Sequence, residues 1–212
     1  MFVLTIDQIG SRTGYDRVPD LLERLATIRR PGPGGASSTA AASQRVTFLR
    51  GPERTVGDEV QAVLVDAADV VAVVLDLLRI GHWSVGIGVG PVVEPLPPST
   101  REGSGEAFVR AREAVERAKA KGPSVPVAVE GPTPAADAEA VLRLLGATLA
   151  RRTPLAWDAI DAVAHRAPTQ KDAAKELGIT VQAVSKRLRA ALWADELAVR
   201  PLATRLLQEA DT

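Results

Sequence analysis

The chain has 212 residues with 26 basic and 26 acidic side chains, so its formal net charge is zero; 46% of its residues are hydrophobic and 25% charged. This composition excludes a disordered polyelectrolyte, and the length suits two small domains better than one. The absence of cysteine excludes disulfides and thiolate metal centres or nucleophiles, and fits a reducing cytosol. The apolar run in MFVLTIDQIGSR is interrupted too soon for a signal peptide or membrane span, so the expectation is a cytoplasmic protein without a membrane partner.

In chain order, Phe2 to Ile6 is an apolar, β-branched run that reads as a buried strand, with Asp7 at its end. Val18, Leu21, Leu22, Leu25 and Ile28 recur at helical spacing and place a helix over about 16–30, closed by Pro31. Residues 31–44 are poor in large apolar groups and read as a flexible loop. Val46–Leu49 and Val60–Val65 form the two arms of an expected hairpin with Gly57-Asp58 near its tip, and a helix follows over 67–80. Trp83 to Val93 is a further strand, whose glycines announce the close approach of a backbone or a ligand. Gly105 to Lys121 is helical, with Ala107, Phe108, Ala111, Ala114, Val115 and Ala118 on one side, and Val125–Val129 is the last strand.

This order of elements implies an α+β domain over 1–131, a ferredoxin-like or palm-type sandwich with helices on one face of a mainly antiparallel sheet. No strand pattern appears after residue 131, so 134–212 reads as an all-α domain with helices near 135–151 and 154–166. The apolar stretches 135–151 and 192–207 serve either as dimer surfaces or as packing within one subunit.

The segment TQKDAAKELGITVQAVSKRLRAAL carries the spacing of a helix-turn-helix. Ala173, Ala174 and Leu177 face inward on a first helix, Gly178 supplies the positive φ of a tight turn, Thr180 caps the second helix, and Ile179, Val184 and Leu188 anchor it. Small residues are needed where two helices cross closely, which is why alanines sit at the crossing. The residues left for double-stranded DNA are Thr169 and Gln170 at the first helix, then Thr180, Val181, Gln182, Ser185, Lys186 and Arg189. Gln182 has the two-sided amide that reads adenine, and Lys186 and Arg189 reach guanine or phosphate. Between Arg166 and Ala190 six basic residues stand against two acidic ones, a local charge of +4 in a neutral chain. The bland alternative is an ordinary helical hairpin with a solvated charged face. DNA-binding modules of this size read paired half-sites, so a homodimer is expected.

Four segments carry a family resemblance: TIDQIGSR, RTVGDEVQAVL, WSVGIGVGPV and GSGEAFVRAREAVERAK. With the C-terminal helix-turn-helix they resemble the SatD-like family of bacterial proteins over nearly the whole chain. More distantly, the same segments resemble the palm-like catalytic domains of class III nucleotide cyclases and GGDEF diguanylate cyclases. That resemblance implies that Asp7 and Asp58, with Glu59, stand where such enzymes hold Mg²⁺ against a nucleotide.

The sequence departs from the cyclase pattern at the helix that supplies an Asn and an Arg, where alignment on Gly105 places Val109 and Glu113. A carboxylate at Glu113 opposes a polyphosphate. The hairpin Val56-Gly57-Asp58-Glu59-Val60 also keeps only one glycine of the GGDEF pair. Three readings stand side by side: a degenerate palm that senses a nucleotide, a purely structural or dimerising palm in which Asp7 and Asp58 are turn residues, and an active metal-dependent cyclase or phosphotransferase tethered to DNA. The balance favours a transcription regulator with no catalytic residues and no certain cofactor. His82 and His165 have no partner histidine in the sequence nearby, WSVGIGVG lacks the helix that would cradle a phosphate, and Gly103-Ser104-Gly105 is no nucleophile elbow.

Overall fold

The computed structural model describes residues 1–11, 14–30, 44–120, 124–167 and 169–212. Its strands are β1 (Phe2–Gln8), β2 (Arg29–Arg30), β3 (Gln44–Arg45), β4 (Arg50–Arg54), β5 (Glu59–Leu64), β6 (Trp83–Val89) and β7 (Val127–Glu130). The α-helices are α1 (Val18–Thr27), α2 (Ala67–Ile80), α3 (Glu106–Lys119), α4 (Ala135–Ala150), α5 (Pro154–Asp161), α6 (Gln170–Glu176), α7 (Val181–Ala190) and α8 (Trp193–Ala210). Among the described residues, no helix is long and apolar enough to cross a membrane.

The fold is α+β. A mixed five-stranded sheet has the order β4-β5-β1-β6-β7, and β2 pairs with β3 beside it. All neighbours in the main sheet are antiparallel except β6 and β7, which α3 joins as a parallel crossover. Side chains alternate across a strand, so each strand contributes to two faces. Phe2, Leu4 and Ile6 of β1, Val60, Ala62 and Leu64 of β5, and Val85, Ile87 and Val89 of β6 face one core, which α1, α2, α4 and the C-terminal half of α8 complete. Val3 and Val63 point the other way, against Ala107, Phe108 and Ala111 of α3.

Helices therefore lie on both faces, a correction to the one-sided sandwich expected from the element order. The sheet is mainly antiparallel, as expected, and among the described residues β6–β7 is its one parallel pairing. The second helical face and the parallel pairing have the same cause: α3 leaves the end of β6, crosses the sheet and returns the chain to β7.

The close approach announced by the glycines of β6 is that of α3. A Cβ at Gly86 would lie 2.7 Å from Val115 Cα and overlap the backbone of Ala111, while one at Gly88 would lie 2.9 Å from Ala111 Cα and overlap the Ala107 carbonyl oxygen. The alanine stripe of α3 thus sits directly on the strand backbone.

Two local expectations shift. The loop expected at 31–44 lies outside the described residues except for Gln44, which belongs to β3. The strand expected at Val46–Leu49 is irregular, and the first hairpin arm is β4 instead. The reason lies in where the amide groups go: Val46 N donates to the Ile28 carbonyl (3.1 Å), Thr47 N to Asp69 Oδ2 (3.0 Å) and Leu49 N to the Val63 carbonyl (2.8 Å). The buried Asp69 captures the segment, and Gly57-Asp58 remains the turn between β4 and β5.

Replacing Gly88 by alanine forces α3 off the sheet. Gly88→Ala should lower stability by about 3 kcal/mol or more, read as a lower urea midpoint. An unchanged midpoint would show that α3 can be displaced without loss.

Candidate functional site

The helical pair α6–α7 is built as its sequence requires. Thr169 Oγ1 accepts from Asp172 N (3.2 Å) and donates to Asp172 Oδ2 (2.6 Å), which fixes the start of α6. Gly178 turns the chain at φ 64°, and Thr180 Oγ1 accepts from Ala183 N (3.1 Å) to open α7. Ala173, Ala174, Val184 and Leu188 are buried together with Ala159 and Ile160 of α5 and with Trp193 of α8, and Leu177 and Ile179 pack on the edge of that cluster.

With Val184 and Leu188 turned inward, the opposite face of α7 is open. Thr169, Gln170, Thr180, Val181, Gln182, Lys186 and Arg189 are exposed and Ser185 is half-buried, so the structure brings the whole expected set to the surface of one helical pair. The ammonium and guanidinium groups of Lys171, Lys175, Lys186, Arg187 and Arg189 have no ion-pair partner among the described residues, whereas Arg166 is paired with Glu176 at 2.5 Å. Of these cations, Lys171, Lys175 and Arg187 are not among the eight DNA-facing residues that the sequence pattern singles out. Their signal was the local charge count, which does not say which cations stay unpaired.

The second candidate site lies at the open end of β1 and β5. Asp7 and Glu59 are direct neighbours across the antiparallel ladder, and Asp58 precedes Glu59 in the turn. The structure thus brings Asp7, Asp58 and Glu59 to one corner. Two features define its chemistry: Lys119, at the end of α3, reaches Asp7 Oδ1 at 3.2 Å, and Glu59 Oε1 accepts from Thr55 Oγ1 at 2.6 Å. No group of three or more His, Asp or Glu residues among the described ones is arranged to hold a metal ion. Lys119 was not singled out in the sequence, because nothing there tells a lysine that crosses the sheet from one that faces water.

Burial raises the Asp7 carboxyl above the ordinary 3.8 of an aspartate, against the Lys119 contact that pulls it down, and the charges of Asp58 and Glu59 push it further up. Val109 and Glu113 stand on the exposed side of α3. Of the histidines, His82 is exposed with a positive φ of 67° at the α2–β6 corner, and His165 lies where the helical region meets α2.

The raised Asp7 carboxyl has a definite sign in stability. The folded chain keeps this proton to higher pH than the unfolded chain does, so the contribution of Asp7 is full below 3.8 and is lost as pH rises through the interval up to its raised folded value. Asp7→Asn removes that loss. The stability of wild type minus that of the variant, from urea unfolding, should fall as pH rises above about 4, and a flat difference would show that Asp7 titrates as it does unfolded.

Comparison with protein-family models, with curated proteins and with solved structures gives no match to this chain, so its functional reading rests on the arrangement of these side chains.

Proposed function

We propose that the protein is a DNA-binding transcription regulator, in which α6 and α7 act as a helix-turn-helix and α7 enters the major groove. The observation that carries this reading is the outer face of α7, where Gln182, Ser185, Lys186 and Arg189 stand on one side of a helix whose other side, Val184 and Leu188, is buried. A row of this kind supplies amide readout and phosphate contact from one rigid element. The free cations flanking it on α6 provide the salt-sensitive attraction that a neutral chain otherwise lacks. Paired half-sites on DNA require a homodimer, and this belongs to the same proposal.

For the sheet region we propose a palm-type domain of SatD-like character that serves sensing or dimerisation rather than catalysis. The connectivity β1-α1-β4-β5-α2-β6 with spatial order β4-β5-β1-β6 supports the palm reading. The Lys119 ammonium on Asp7 supports the non-catalytic one, since it supplies the positive charge that Mg²⁺ would bring and occupies a carboxylate oxygen that a metal would need.

The experiment is a salt series. Binding of the full chain to genomic fragments, followed by fluorescence anisotropy on a recovered duplex, should weaken linearly in log K against log salt. Lys186→Ala/Arg189→Ala should cost tenfold or more in affinity and shrink the slope by about 2. Failure of the wild-type protein to bind any fragment, or an unchanged slope in the double variant, would overturn the reading.

A further inference from the structure

A cavity of about 70 Å³ lies where the sheet region meets the helices that carry α7. Arg79 of α2, Trp157 of α5, His165, and Trp193, Glu196 and Arg200 of α8 line it. Its charges are uneven. Arg79 is balanced by Asp161, which accepts from Nη1 and Nη2 at 2.6 Å each, and Asp76, a carboxylate that also lines the cavity, is balanced by Arg24, whose Nε and Nη2 donate to it at 2.5 and 2.6 Å. Glu196, by contrast, is shared: Arg152 Nη1 stands 2.6 Å from its Oε2, and Arg200 Nε donates to its Oε1 at 2.9 Å. No second carboxylate contacts Arg152 or Arg200 among the described residues. One carboxylate thus faces two guanidinium groups, and the cluster keeps one positive charge in excess.

The Arg152–Glu196 half of the cluster is buried. The side chains of Arg152 and Glu196 are each 1% exposed, and Arg152 Nη1 and Nη2 and Glu196 Oε2 find no hydrogen bond of proper geometry, the Arg152–Glu196 approach being a charge contact without alignment. Buried guanidinium donors left without acceptors are costly and normally find a partner. The aromatic rings offer only their faces: Arg79 lies 4.1 Å over Trp157, Arg152 4.9 Å over Trp157, and Arg200 5.5 Å over Trp193. Desolvation lowers the proton affinity of His165; Asp161 opposes this, and Arg79, Arg166 and Arg200 add to it.

We propose that this cavity is a binding site for a phosphoryl-sized oxyanion, either inorganic phosphate or the phosphate of a small monoester. Size agrees with charge, since one water needs on the order of 10–15 Å³ and the cavity of about 70 Å³ accepts a group of about five heavy atoms. The oxyanion adds an acceptor for Arg200, which shares Glu196 with Arg152, and His165 stands beside it. Arg152 acts through Glu196 and holds that carboxylate in place.

The site reports on itself, because two of the three tryptophans, Trp157 and Trp193, line it. The test is a titration of the full chain with sodium phosphate and, separately, with adenosine monophosphate, against sodium chloride at equal ionic strength, followed by tryptophan emission and by the thermal midpoint. The expected result is a saturable emission change with a raised midpoint for the phosphates and none for chloride. Tighter binding of the monophosphate would identify a monoester as the ligand, and tighter binding of inorganic phosphate the free ion. Arg200→Gln leaves Glu196 paired with Arg152, and should keep the wild-type circular dichroism while weakening phosphate at least tenfold. No saturation up to about 50 mM phosphate, or equal binding by Arg200→Gln, overturns the proposal. The assay contains no DNA, so its failure leaves the reading of α7 untouched, and loss of DNA binding leaves this site untouched.

Discussion

The contact between β6 and α3 governs the architecture. Gly86 and Gly88 remove the side chains that would hold a helix away, and the stripe of Ala107, Ala111, Ala114 and Ala118 removes those of the helix. Backbone then meets backbone across one face of the sheet, which leaves the other face to α1, α2, α4 and α8. β1, β5 and β6 have no wet face, so even their polar residues are enclosed: Thr5 and Gln61, both buried, are joined by a 3.2 Å bond from Gln61 Nε2 to Thr5 Oγ1.

The same contact decides the chemistry of the acidic corner. Once α3 lies flat on β6, its last turn reaches β1, and Lys119 arrives at Asp7. At the far edge, Arg117 ties the helix to β7 and α4 by contacting Glu130 at 2.5 Å and Glu139 at 2.6 Å, while Glu139 Oε2 also accepts from Val129 N at 2.8 Å. The last turn of α3 is therefore tied to the central strand through a lysine on one carboxylate and to the β7 edge and α4 through an arginine on two. Lys119 pairs with one of the three carboxylates of the corner and anchors α3 there.

Much of this was legible in the residues. The apolar runs of β1, β5 and β6, the Gly57-Asp58 turn, the helical stripe of α3 and the glycines that demand close approach all have periodicities or conformational needs that depend on nearest neighbours alone. The offsets from Ala173 to Leu188 likewise placed the inner and outer faces of α7. What escaped depends on partners far apart in sequence. Thr5, Asp7, Gln61 and Ser84 alternate with apolar residues and so mark a face turned to water, yet an alanine stripe covers it. Val46 to Leu49 has strand composition but gives its amides to Ile28, Asp69 and Val63. The Arg152, Glu196 and Arg200 cluster joins the connection between α4 and α5 to two positions of α8, 44 and 4 residues apart, and nothing in either segment announces it.

Helix α8 has a mechanical role that its sequence does not advertise. Its first turn, through Trp193, belongs to the small cluster beneath α7, and its last turns, through Ala203, Leu207 and Ala210, belong to the large core under the sheet. A single rod is thus embedded in two hydrophobic bodies, with the charged cavity at the point where it passes from one to the other. The orientation of α7 relative to the sheet is therefore held by two ties, the embedded length of α8 and the Arg79–Asp161 pair that joins α2 to α5 beneath α7.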